Sequence, residues 1–252
     1  MKNNQVQAAS NGREAGPATS VPAAGHAQHR HTHLKKPFPA IDQQTMRFVV
    51  GVIALSLPYL TNHFAIIDGT RLTSISESYW RGNWPQTIFV GFLFAISSFL
   101  LAFNGSTRLE MLLSKAAALA ALCVAMFPCK CTSTREIIPH LHYICAGIMY
   151  AVLSCFCWMF LIRARRKGHK QAIARATIYV LCGVSIVGCS LALAYNLLTG
   201  DSMTKEYPYF VFWGEAGGLW AFGVSWLTAS HALPWVNRAD ERFPLFGPRT
   251  GN

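Results

Sequence analysis

Asp and Glu together number only 11 in this 252-residue chain, against 22 Lys and Arg. Charged residues of all kinds make up 13%, while hydrophobic ones reach 52%. So little charge excludes an ordinary soluble surface, for which about a quarter of all residues are charged. Catalytic signatures are missing as well. There is no G-x-S-x-G elbow, no phosphate-cradling glycine loop, no Rossmann fingerprint and no H-E-x-x-H zinc motif. No internal repeat favours an inverted-repeat transporter. No basic start leads into a hydrophobic stretch, so the N-terminus does not read as a signal peptide.

What is present is a formal net charge of +11. In a soluble protein that surplus indicates a nucleic-acid partner. Here the basic residues flank apolar runs, so membrane topology accounts for them and no nucleic-acid partner is expected. The eight cysteines do not read as a disulfide framework, because Cys123, Cys145, Cys155, Cys157, Cys182 and Cys189 lie inside apolar runs. Cys129 and Cys131 sit in a loop. Their C-x-C spacing is tight for a mutual disulfide, and no second C-x-C completes a zinc site.

Residues 1–46 lack any apolar run and are expected to form a disordered cytoplasmic tail. The histidines of its "HAQHRHTH" (His26, His29, His31 and His33) read as part of a solvated tail, since nothing fixes a ligand geometry. Six apolar segments follow, at 48–67, 87–104, 109–128, 138–162, 175–198 and 209–232, each near the roughly 20 residues that cross a bilayer as a helix. The fold class is therefore all-α: a polytopic, six-helix transmembrane bundle over 47–232, with a cytoplasmic C-terminal tail at 233–252. Pro58 is expected to kink the first helix, and Lys115 to snorkel from the third. Of the 22 Lys and Arg, 17 fall on the side shared by both termini, six of them in "RARRKGHKQAIAR". The positive-inside rule makes that side cytoplasmic, in the inner membrane if the cell is bacterial. The same basic stretch could also recruit anionic lipid, although that reading adds little beyond topology.

Against this frame, the outer half collects the polar chemistry. Glu215 is the one acidic residue well inside an apolar segment, roughly 9 Å below its outer end at about 1.5 Å per residue. A carboxylate there needs a partner or a proton. His63, Asp68, Glu77, His140 and His142 can approach the same region. His63, His140, His142 and Glu215 are the ligand types zinc prefers, but the spacing argues against a metal site. Residues i and i+2 of a helix point roughly 200° apart, so His140 and His142 cannot both face one ion. Pro139 suits a helix start there. His140 continues into the small-residue stripe Gly147, Ala151 and Ser154, which favours it slightly as the inward histidine. No cofactor is expected, with zinc as the minority alternative. Gly214–Gly218 and Gly147–Ala151 read as small-residue helix-packing pairs.

Three stretches resemble the DRAM/FRAG-type six-helix membrane family and its uncharacterised bacterial relatives: "SISESYWRGNWPQTIFVGFLFAISSFLL", "HLHYICAGIMYAVLSCFCW" and "FWGEAGGLWAFGVSW". By position, the resemblance falls on Ser74, Ser76 and Glu77, on His142 and on Glu215. It implies a multi-pass, lipid-interacting or membrane-organising protein, with membrane lipids as partners, and no reaction. A metal-dependent lipid hydrolase and a small proton-coupled transporter are the alternatives.

Overall fold

The computed structural model describes residues 42–129, 138, 140–238 and 241. Its helices are α1 (Gln43–Ile67), α2 (Ser78–Arg81), α3 (Asn83–Ala102), α4 (Arg108–Met126), α5 (Leu141–Lys167), α6 (Lys170–Leu198), α7 (Ser202–Glu206) and α8 (Phe210–Ala229). A 3-10 turn follows at Pro234–Val236, and there is no strand among the described residues. The all-α expectation holds. The six long helices pack in sequence order, α1 on α3, then α4, α5, α6 and α8, and α8 closes back onto α1.

Five of these, α1, α3, α4, α5 and α6, are long and apolar enough to cross a membrane. α8, of 20 residues with Glu215 and four glycines inside it, is not among the five. The outside of the ring is apolar: α6 shows Leu181, Val184 and Leu191 at 63%, 67% and 65% exposure. A helix with its apolar side chains turned outward is stable only in lipid or against a partner.

The helices overrun the apolar segments mainly at the basic end. α1 begins at Gln43, four residues into what the sequence assigns to the tail; residues 1–41 lie outside the described residues. Arg163, Arg165, Arg166 and Lys167 belong to α5, and Lys170 and Arg175 to α6, so no long basic loop exists. The junction is two residues. Gly168 takes the left-handed conformation (φ 70°) that ends α5, and His169 caps α6 by accepting from Ala172 N–H at 3.2 Å. Cations in the last turn of α5 complement its dipole.

Pro58 lies inside an unbroken α1. The Thr61 hydroxyl there donates to the carbonyls of Leu57 (2.8 Å) and Pro58 (3.2 Å). Lys115 reaches back to the end of α3. Its ammonium donates to the Leu101 and Phe103 carbonyls and to Asn104 Oδ1, capping the end of α3. α1 and α8 meet backbone to backbone: a Cβ on Gly223 would stand 2.9 Å from the Gly51 carbonyl oxygen, and one on Gly51 3.0 Å from that of Gly223. Gly214 and Gly218 receive Leu193 and a Tyr150 ring, as small-residue packing requires. Gly147 and Ala151 instead face outward, with nothing near Gly147.

The bundle's basic end holds an aromatic plug, Trp226 among Phe103, Phe156, Phe160 and Phe222 with ring centroids 5.2–6.3 Å apart. Around it, the fully buried Glu110 pairs with Arg163 and accepts from Ser106 N–H at 2.6 Å. The chain beyond α8 is not a free tail at its start. Asn237 Oδ1 and Glu241 take Arg175 at 2.6 and 2.8 Å, and Lys167 reaches Glu241 at 2.7 Å. Burial alone would raise the Glu241 carboxyl, but hydrogen bonds from Lys167 and Arg175 outweigh it and hold it down at about 2, from 4.5. Because the folded value is depressed, this clamp stabilises above pH 4.5 and is lost as pH falls from 4.5 towards 2. Glu241→Gln should therefore flatten the acid side of the stability profile in that window. Superimposable thermal-unfolding profiles of variant and parent across it would refute the assignment.

Candidate functional site

The loop between α1 and α2 is fastened to α8 by backbone and side chain together. Phe212 N–H donates to the Thr73 carbonyl at 2.9 Å. One turn further along α8, Glu215 turns its carboxylate to the loop. Oε2 accepts from Ile75 N–H at 2.5 Å and Ser76 N–H at 3.3 Å, and Oε1 accepts from the Ser76 hydroxyl at 2.9 Å. The Tyr150 hydroxyl donates to the Glu215 carbonyl at 3.0 Å. The loop holds its own shape through Glu77, whose Oε2 takes both Thr73 N–H and Thr73 Oγ1 at 2.7 Å while its Oε1 pairs with Arg81. Glu77 N–H in turn donates to Ser74 Oγ at 3.0 Å.

Ser76 also meets α5. His142 Nε2 lies 3.1 Å from Ser76 Oγ, and its Nδ1 lies 2.8 Å from the Phe127 carbonyl. His142 and Ser76 are 4% and 8% exposed, so bulk water does not compete. A carbonyl can only accept, so Nδ1 carries a hydrogen. The series from Phe127 through His142 and Ser76 to Glu215 contains three hydrogen bonds and needs three hydrogens. A neutral imidazole and a hydroxyl supply one each, and a carboxylate none. The series closes with one further proton, carried by His142 or by Glu215. Passing it between them through the Ser76 hydroxyl leaves the summed charge at zero.

The sequence candidates thus separate. Ser76, His142 and Glu215 come together, with Glu77 and Ser74 bracing the loop. His63 is exposed on α1, stacked on Tyr59 at 5.6 Å, and Asp68 is exposed where α1 ends. His140 is exposed and His142 buried, the reverse of what the small-residue stripe favours. α5 begins at Leu141, so His140 stands outside the helix in the left-handed region (φ 63°), while His142 falls on the buried face with Cys145, Met149 and Leu153. Pro139 and Cys131 lie outside the described residues, as do His26, His29, His31 and His33. Cys129 is disulfide-bonded, against the expectation from its spacing, and the six other described cysteines are free. Trp80 Nε1 donates to the Cys129 carbonyl at 2.9 Å.

Chemically, the site resembles a hydrolase only in composition. The backbone N–H groups of Ile75 and Ser76, which could otherwise receive an oxyanion, are taken by Glu215, and Ser76 is buried. Among the described residues, no three His, Cys, Asp or Glu side chains converge as metal ligands do. Sequence reasoning missed Thr73, the Phe127 carbonyl and Tyr150, which act through backbone atoms or a hydroxyl and leave no spacing signal. It also missed Glu110, although Thr107-x-x-Glu110 has the form of a capping box and Thr107 accepts from Glu110 N–H. Compared with family models, curated proteins and solved structures, the chain finds no match.

A second feature lies beside the site. Between α6 and α8, under the segment joining α7 to α8, runs an apolar groove of about 610 Å3, lined by Gly188, Cys189, Ala192, Tyr209, Phe210 and Trp213 among others. The Arg71 guanidinium lies 4.5 Å from the centre of the Tyr209 ring, at the groove's edge.

Proposed function

We propose that the protein is a six-span integral membrane protein with both termini cytoplasmic, that it binds and organises membrane lipid, and that it performs no reaction itself. The α6–α8 groove carries the reading. Its volume falls in the range of about 300–1,000 Å3 usual for ligand sites, and its apolar wall suits an acyl chain. Arg71 beside Tyr209 suits the phosphate of the same lipid. α8 serves as the sixth span, since its one carboxylate is bonded inward to the loop. The orientation draws support from two sources, the basic surplus at the end bearing the termini and the disulfide of Cys129 at the other, as an oxidising outer compartment allows. The resemblance to DRAM/FRAG-type proteins agrees with this reading.

The test is photo-crosslinking of the reconstituted protein with a phosphatidylcholine that bears its photoreactive group on the acyl chain. Adducts should map to α6 and α8 and fall severalfold in Ala192→Trp, which fills the groove. Labelling spread evenly over the outer surface, or unchanged in that variant, would refute lipid binding at this site.

One observation favours a second reading, proton-coupled transport: the Glu215–Ser76–His142 series has a place for a mobile proton. A proton-coupled flux in proteoliposomes, abolished by Glu215→Gln, would establish it over the first. Absence of any pH-driven flux would end it.

A further inference from the structure

The basic end of the bundle contains a second cavity, far from the groove and from Glu215. It measures about 100 Å3 and is bordered by residues of α1, α5, α6 and the end of α8. Arg47, Arg163, Lys167 and Arg175 line it together with His231 and Tyr179, and no carboxylate does among the described residues. The acidic groups nearby act from behind the wall. Glu110 takes Arg163, and Glu241 takes Lys167 and Arg175. Asp42 acts on Arg47 only as the weakest of the influences on it. Burial first, and the charge of Arg175 second, lower the His231 imidazole below its ordinary value.

Arg47 is the cation whose bonding is least complete. Its Nη1 donates to the Ala229 carbonyl at 3.2 Å, and its guanidinium lies 5.2 and 5.4 Å from the Phe103 and Phe160 ring centres. Its Nε is buried with no hydrogen-bond partner among the described residues. A buried guanidinium nitrogen without an acceptor is costly, as is the gathering of four cations around one cavity. Both costs are removed by one ligand type. A volume of about 100 Å3 holds roughly three waters, or one tetrahedral oxyanion. Guanidinium forks match such an oxyanion in two-point geometry, and Lys167, at 46% side-chain exposure, can close over it from the rim.

We infer that this cavity is a binding site for a phosphate group, gripped by Arg47, Arg163, Arg175 and Lys167. The phosphate is either free or the headgroup of an anionic lipid in the leaflet that faces this end. The site stands whether or not the α6–α8 groove holds lipid. It also divides the basic stretch of the sequence into two kinds of residue: Arg163, Lys167 and Arg175 line the cavity, whereas Arg165 and Arg166 do not.

The full chain, purified in a neutral detergent, is titrated with inorganic phosphate at constant ionic strength. Parallel titrations use micelles doped with phosphatidylglycerol or with diacylglycerol of the same acyl chains. Unfolding temperature is the readout. A rise with inorganic phosphate supports a site that a free oxyanion satisfies. A rise with phosphatidylglycerol alone, absent with diacylglycerol, supports a headgroup site. In either case Arg47→Gln should weaken the apparent affinity roughly tenfold, the loss expected for one charge-assisted bond. Lys167→Gln, at the more exposed rim, gives the same comparison without touching the aromatic plug. No rise with either phosphate probe overturns the inference, and so do rises of equal size in the parent and in Lys167→Gln.

Discussion

Glu215→Ala should destabilise the protein by roughly 2–4 kcal/mol, whereas Glu215→Gln should stay within about 1 kcal/mol of the parent. Alanine removes the acceptor of three donors at once, Ile75 N–H, Ser76 N–H and the Ser76 hydroxyl. Nothing else in the loop replaces it, because Glu77 is already committed to Thr73 and Arg81. Glutamine keeps every bond. Its carbonyl accepts from the two backbone N–H groups, and its NH2 donates to Ser76 Oγ. Ser76 then donates to His142 Nε2, which is the arrangement with the proton fixed on residue 215. The charged and titratable neighbours of this series are Glu77 with its partner Arg81 in the loop, Tyr150 on α5 and Cys189 on α6. The same two variants separate the proton account from plain packing. Thermal or denaturant unfolding in detergent measures both, and equal losses for alanine and glutamine would contradict the bonding described.

Trp226→Ala should cost about 3–5 kcal/mol, the range for emptying a large aromatic site. Trp226 is fully buried, and four phenylalanines contact it with little freedom to collapse. Trp226→Phe should cost far less, near 1 kcal/mol. The indole N–H has no hydrogen-bond partner among the described residues, so phenylalanine gives up volume but no bond. If phenylalanine proved as damaging as alanine, an acceptor for that N–H would have to exist. The plug also sets the position of Arg47, which lies against Phe103 and Phe160. Alanine at 226 should therefore disturb the inner cavity as well.

Much of this architecture is legible in the sequence because each long helix coincides with an apolar run of about 20 residues. The apolar runs locate all six long helices to within a few residues. Glu215 stands out because an acidic group deep in an apolar run must have a reason. The inward histidine is not legible, since it depends on which stripe of α5 packs: Gly147 and Ala151 face outward, and the buried face is that of Cys145, Met149 and Leu153, which His142 joins. The inner network is hidden for a different reason. Arg163, Arg175 and Lys167 read as topology signals, and topology is indifferent to whether such residues face water or a cavity. Glu241, the partner of Lys167 and Arg175, lies beyond the last apolar segment, where no periodicity reports that the chain folds back.

The order in which the helices pack has a consequence for how the protein is made. Each long helix lies beside its predecessor in the chain, so every interface but one can form as the chain emerges, hairpin by hairpin. The exception is the seam between α1 and α8, where Gly51 and Gly223 meet. α8 also carries the carboxylate that binds Ile75 and Ser76, in a loop about 140 residues earlier in the chain. Without α8 the other five long helices form an open arc, and α8 is the keystone that closes it by packing on both α6 and α1.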